Sequence, residues 1–132
     1  MPDINLLAVL GCGVASMVLG ALWYSPALFA RSWQKHAGVS DQAITSSNLP
    51  LVYGLAFVLS LLAAYVLAMF IGPEMSLGAA TAAGAAAGVA WVSASFGINY
   101  LFERKSLTLW LINGGYHALQ FTLFGLIIGA WR

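Results

Sequence analysis

Charge is what this chain has least of. Only 7% of its 132 residues are Asp, Glu, Lys or Arg, against about 25% in a soluble domain. So few charges cannot cover a water-facing surface, which excludes a free-standing soluble domain. None of the charged residues falls in the middle of an apolar run. That removes the carboxylate relays of most ion-coupled transporters and a lysine for a retinal Schiff base. Cysteine is nearly absent as well. The single Cys12 cannot form an intramolecular disulfide. Its apolar setting disfavours the thiolate, and it reads as a small packing residue. No paired His, Cys or carboxylate has the spacing of a metal site. No Ser–His–acid set shares one depth, and no Gly-rich loop follows a strand to cradle phosphate. The net charge is +1, with basic residues only in short loop pairs, so nucleic acid is excluded as a partner. These absences lead to the expectation of a non-enzymatic protein with no metal and no cofactor.

What the chain has is hydrophobicity: 61% of residues are apolar and the mean hydropathy is +0.89. The apolar residues gather into four runs, at 4–24, 49–71, 77–102 and 107–131. Each is about the ~20 residues needed to span a bilayer as a helix. The predicted fold is all-α: a polytopic membrane protein of four transmembrane helices, as a single domain over 1–132. A short amphipathic helix is expected to lie in the interface after the first span. Met1-Pro2-Asp3 lacks the basic stretch of a cleaved signal peptide, so the first run is expected to remain in the mature protein.

The first run ends in Trp23 and Tyr24, aromatics suited to the headgroup level. Ser25-Pro26 predicts a helix start, and Gly38 predicts its end, giving a helix over 26–37. Phe29 and Trp33 share one side of it, and Arg31 and Lys35 the other, the pattern of a helix lying on a membrane. His36 is expected to be wet. Residues 39–48 are polar and read as a loop. In the second run Tyr53, Ala56, Ser60 and Ala64 share a face. The Gly72–Ser76 link is short enough to make the second and third runs antiparallel neighbours.

Small residues form seams. Cys12, Gly13, Ser16 and Gly20 share a face of the first run, and Gly114, Ala118, Thr122, Gly125 and Gly129 share one of the fourth. Residues 78–90 are all Gly, Ala or Thr except Val89. Such low bulk lets helix backbones approach closely, which predicts the third run at the centre of the bundle. Thr81, Gly84, Gly88, Ser95 and Asn99 fall on one stripe of a regular helix, within ~80°.

One stretch stands apart: Asn113-Gly114-Gly115-Tyr116-His117-Ala118-Leu119-Gln120. His117 lies ~15 Å along the fourth helix from Leu107, near the middle of a ~30 Å hydrocarbon core. Asn113, His117 and Gln120 share a stripe, with Tyr116 beside it. Polar groups at that depth need partners, because lipid supplies none. The expected partner is the Ser95 and Asn99 stripe of the third run. Two chemistries fit: a neutral histidine cross-linking helices, or a site for a ligand, proton or cofactor.

Two blocks carry a family resemblance. The first is Gly20-Ala21-Leu22-Trp23-Tyr24-Ser25-Pro26 with Phe29, Trp33 and Gly38. The second is Phe102-Glu103-Arg104 followed by Leu109-Trp110-Leu111-Ile112-Asn113-Gly114-Gly115-Tyr116-His117. Together they resemble the bacterial domain-of-unknown-function family 1761, over nearly the whole chain. The resemblance implies a four-helix inner-membrane protein. It brings no catalytic residues and no cofactor to carry over.

Three functional expectations follow. The small-residue seams point to a subunit that self-associates or joins a membrane complex. The stripe of Ser95, Asn99, Asn113, Tyr116, His117 and Gln120 points instead to a transporter or channel for a small solute or lipid-like ligand. A haem or pigment subunit with His117 as axial ligand comes third. Arg31, Lys35, Arg104 and Lys105 lie in the first and third loops, against Arg132 with Asp3 and Glu74 on the other side. The positive-inside rule then places those loops in the cytoplasm and both termini outside.

Overall fold

The computed structural model describes residues 4–131, and no strand forms among them. The chain runs α1 (Leu6–Trp23), α2 (Ala30–Ala37), α3 (Asp41–Ser46), α4 (Leu49–Phe70), α5 (Leu77–Ala87), a π-helical stretch (Gly88–Ser93), α6 (Ala94–Glu103) and α7 (Leu107–Ala130). The fifth helix, the π stretch and the sixth form one continuous rod. Four helices are therefore long and apolar enough to cross a membrane: 6–23, 49–70, 77–103 and 107–130.

The starts of these helices are written in their caps. The Asn5 side chain accepts from the N–H groups of Leu7 and Ala8, both at 3.1 Å. Asn48, Ser76 and Ser106 each accept from the N–H three residues on, at 3.1 Å. These satisfy donors that lipid could not. Gly38 closes α2 in the left-handed conformation, at φ 73°.

Two short elements differ from expectation. The second helix starts at Ala30 rather than Pro26, because Ser25 does not cap it. The Ser25 hydroxyl turns back to Leu22 O at 2.7 Å, and residues 26–29 form turns held by Leu28 N–H to Ser25 O and Phe29 N–H to Trp23 O. Within the loop expected at 39–48, a six-residue helix forms at Asp41–Ser46. Its signal was present: Ser40 caps the Ala43 N–H at 3.1 Å, with Asp41 in the first turn.

The centre of the bundle is α7, not the Gly/Ala-rich third span. It packs against α1, α2, α4, α5, the π stretch and α6, whereas α4 packs chiefly on α1, and α5 on α7. The smooth face of α5 serves one very close neighbour. A Cβ on Gly84 would collide with Phe121 O, and one on Gly125 with Ala80 O. Away from that seam Val89 and Trp91 are exposed. The short link after α4 joins α4 and α5 consecutively; each packs mainly on another helix, but both contribute to one apolar core.

The π stretch explains a second difference. The Ala94 N–H reaches Val89 O, five residues back, so the rod gains one residue without a turn. Its inward positions run Ala80, Gly84, Gly88 and then Ser93. The step from 88 to 93 is the inserted residue. A regular wheel continues to Ser95 and Asn99 instead, and both of these are exposed.

The apolar core lies at the end holding Val9, Cys12, Ala64, Leu67, Ile71, Ala80, Phe124 and Ile128. At the same end Asn5 Nδ2 donates to Trp131 O at 2.7 Å. At the other end α4 has exposed Leu51, Val52, Tyr53 and Leu55, and a cleft opens between it and its neighbours.

Candidate functional site

The site is built outward from Gln120, which α7 buries against α1. Its Nε2 donates to Ser16 Oγ at 2.6 Å, and its Oε1 lies 2.7 Å from His117 Nδ1. Ser16 is 1% exposed and Gln120 5%. Ser16 Oγ lies 3.1 Å from Ser60 Oγ of α4 and 3.0 Å from the Tyr116 hydroxyl. The Ser60 proton goes to Ala56 O at 2.8 Å, and the Tyr116 proton to Ser16 O at 3.0 Å. The Ser16 proton is then the one left to serve Ser60 or Tyr116, so Ser16 accepts from Gln120. Gln120 Oε1 must accept from His117, which places the ring proton on Nδ1 and leaves Nε2 as a bare acceptor. Nε2 has no hydrogen-bond partner among the described residues. The ring is half-buried and stacks on Phe96, centroids 5.0 Å apart at 13°.

A second polar layer lies toward the loop end. The Tyr24 hydroxyl donates to Asn113 Oδ1 at 2.6 Å, and Asn113 Nδ2 donates to the Tyr100 hydroxyl at 2.7 Å. This joins α1, α7 and α6. Trp23 adds a bond to Ile112 O at 2.8 Å and lies over Gly115. On the far side of α7, Ser93 donates to Gly114 O at 2.6 Å and Trp110 Nε1 to Ser93 O at 2.8 Å.

Between α1, α4 and α7 lies an open cleft of about 520 Å³, lined by Ser16, Met17, Gly20, Tyr24, Tyr53, Ala56 and Tyr116. That volume is within the ~300–1,000 Å³ range of ligand pockets. Four of its wall residues carry hydroxyls, set on three different helices or their ends.

The predicted site residues therefore separate. Asn113, Tyr116, His117 and Gln120 belong to the two polar layers. Ser95 and Asn99 do not join them: Ser95 bonds back to Trp91 O at 2.6 Å, and both face outward because of the π stretch. The partners are instead Ser16, Ser60, Tyr24 and Tyr100. Tyr24 and Trp23, expected at the headgroups, turn inward onto α7. Of the other aromatics expected in the interface, Phe29 packs on Trp23 at 4.8 Å and Trp33 on Tyr24 at 5.7 Å. Arg31 and Lys35 are exposed. His36 is not simply wet, since its Nδ1 lies 2.8 Å from Ser106 Oγ. The seam residues are mostly used inside the chain. Gly13 meets Phe57 and Leu61, Gly20 meets Tyr116, Gly88 meets Phe121 and His117 O, and Gly114 meets Ser93 and Trp110. Gly129 is half-buried.

Four apolar spans cross-linked by buried hydrogen bonds, with no group of metal-ligating residues among the described positions, define a multi-pass helical membrane protein. More narrowly, the chain belongs to the family described as protein of unknown function (DUF1761), whose profile matches residues 7–129. No curated protein and no solved structure matches it.

Proposed function

We propose that this is a non-enzymatic membrane protein that holds a lipid-like ligand bearing a hydroxyl or carbonyl group in the α1–α4–α7 cleft. One observation carries the reading: Ser16, Tyr24, Tyr53 and Tyr116 line a cleft flanked by membrane-spanning helices. The exposed Tyr53 hydroxyl there has no partner among the described residues. The Tyr24 oxygen, though its proton goes to Asn113, keeps room to accept. Oxygen groups on a ligand there would find partners that the hydrocarbon lacks, and the apolar walls would hold its chain. Holding fits better than passage across the membrane. The polar stripe that would line a channel is bonded to itself through His117, Gln120, Ser16 and Ser60. Self-association is the weaker reading, since most of the seam glycines are filled within one chain.

The test is native mass spectrometry of the protein extracted gently from its own membrane. A reproducible small mass is expected on the monomer, lost in Ala56→Phe, which fills the cleft from an exposed wall position. A mass indifferent to Ala56→Phe, or none at all, ends the proposal. A defined multimer without bound ligand returns the association reading to first place.

A further inference from the structure

A second site lies away from that cleft, at the end of the bundle where the chain's basic residues collect. A groove of about 400 Å³ runs between α6 and the start of α7, walled by Ala94, Gly97, Ile98, Leu101, Leu107 and Trp110. Lys105 and Ser106 stand at its end. The walls are almost wholly apolar, and several are open to the surroundings. Ile98 is 57% exposed and Leu101 80%.

The charge at this end is net positive. The bond between His36 and Ser106 brings α2 against the start of α7, so Arg31 and Lys35 sit at the same end as Arg104 and Lys105. No ion pair engages any of these cations among the described residues. The carboxylates at this end are Glu103 and Asp41, and Asp41 Oδ1 is taken by Gln34 Nε2 at 2.8 Å. Arg104 adds an independent oddity. It ends α6 in the left-handed region at φ 59°, the only non-glycine residue with positive φ among those described. Glycine is the ordinary residue there, and a side chain in that region is strained. A turn alone would be better served by glycine, so the guanidinium at this strained position points to a use for its charge.

We propose that this groove binds one anionic phospholipid, with an acyl chain along Ala94, Ile98, Leu101 and Trp110 and the phosphate held by Lys105 at the groove's end, helped by Arg104, which lies outside the groove lining but next to Lys105 in the chain. The chain occupies apolar surface that would otherwise meet loose lipid. The two cations meet the one feature that separates this lipid from a zwitterionic one, its net negative charge. Unlike the ligand of the α1–α4–α7 cleft, this lipid is selected by charge.

The measurement is retention of added lipid by the detergent-purified chain in native mass spectrometry, comparing phosphatidylglycerol with phosphatidylcholine of the same acyl chains. One phosphatidylglycerol should be retained preferentially. Lys105→Gln should weaken retention about fivefold, the weight of one cation at an anionic surface. Lys35→Gln, at the same end but outside the groove, and Ala56→Phe, in the other cleft, should leave it unchanged. Arg104→Gly separates binding from folding: it should raise the thermal midpoint by relieving the left-handed arginine while lowering phosphatidylglycerol retention. Equal retention of the two lipids overturns the proposal. So does an equal loss in Lys35→Gln and Lys105→Gln, which marks diffuse attraction, and so does displacement by inorganic phosphate, which marks a site indifferent to the acyl chain.

Discussion

Gln120 is the residue on which the buried chemistry turns, because it ties His117 on its own helix to Ser16 on the first. Replacing it with leucine removes two hydrogen bonds and leaves His117 Nδ1–H and Ser16 without their partner. Hydrogen bonds between membrane helices average only ~0.6 kcal/mol, but an orphaned buried group adds ~1–3 kcal/mol. Gln120→Leu should therefore lower the thermal midpoint in detergent, with a loss of about 1–2 kcal/mol. His117→Leu in that background should cost much less than it does alone, since its partner is already gone. Strict additivity in this cycle would show that the two do not act together. Glycine gives a second test at this scale. Gly84→Val places a Cβ against the Phe121 carbonyl, whereas Gly54→Val meets nothing within 4 Å. The first should abolish or severely destabilise the fold and the second should leave it nearly intact, read by thermal unfolding.

At the scale of elements, the π stretch sets the face that the third span turns to α7. Its inserted residue carries the inward register from Gly88 to Ser93. Removing one outward residue, Val89, restores the four-residue step of a regular helix and leaves Ser93, Gly97 and Tyr100 on the inner side. Deletion of Val89 should therefore be tolerated, with helical circular dichroism retained and a modest change in midpoint. Deletion of Ala82, equally outward but in regular helix, should rotate the inward seam by ~100° and destroy packing. If both deletions behave alike, the π stretch is not what sets the register.

For the whole molecule, the distribution of charge argues for one orientation. All four described Lys and Arg residues, Arg31, Lys35, Arg104 and Lys105, lie at one end, with Glu74 at the other. Asp3 and Arg132, which entered the count made from sequence, lie outside the described residues. The positive-inside rule predicts that the basic end faces the cytoplasm. In a Cys12→Ser background, Lys35→Cys should react with an impermeant maleimide only after the cytoplasmic side is opened, and Glu74→Cys in intact cells. The reverse labelling would invert the topology. Cys12 itself should not label before unfolding, being buried with its thiol 3.8 Å from Phe124 O.

The sequence by itself determined the class, the four spans and the Gly38 stop of α2, because each depends on local composition over about twenty residues or fewer, whereas the Ser25 cap it suggested did not form. It also pointed to Asn113, Tyr116, His117 and Gln120, since polar atoms in an apolar run declare a need for partners wherever they end up. It showed Ser60 sharing a face with Tyr53 and Ala56, a wall later seen against the cleft. Which partners satisfy the polar stripe was decided only by the tertiary structure. A single residue added in the π stretch moved Ser95 and Asn99 outward, and the wheel used to align them assumes a constant turn. The choice of central helix had the same origin. Small residues permit close approach, but they do not say on how many sides it happens. Here one smooth face of α5 met one face of α7, while the other side of α7 spent its polar groups on α1 and became the centre.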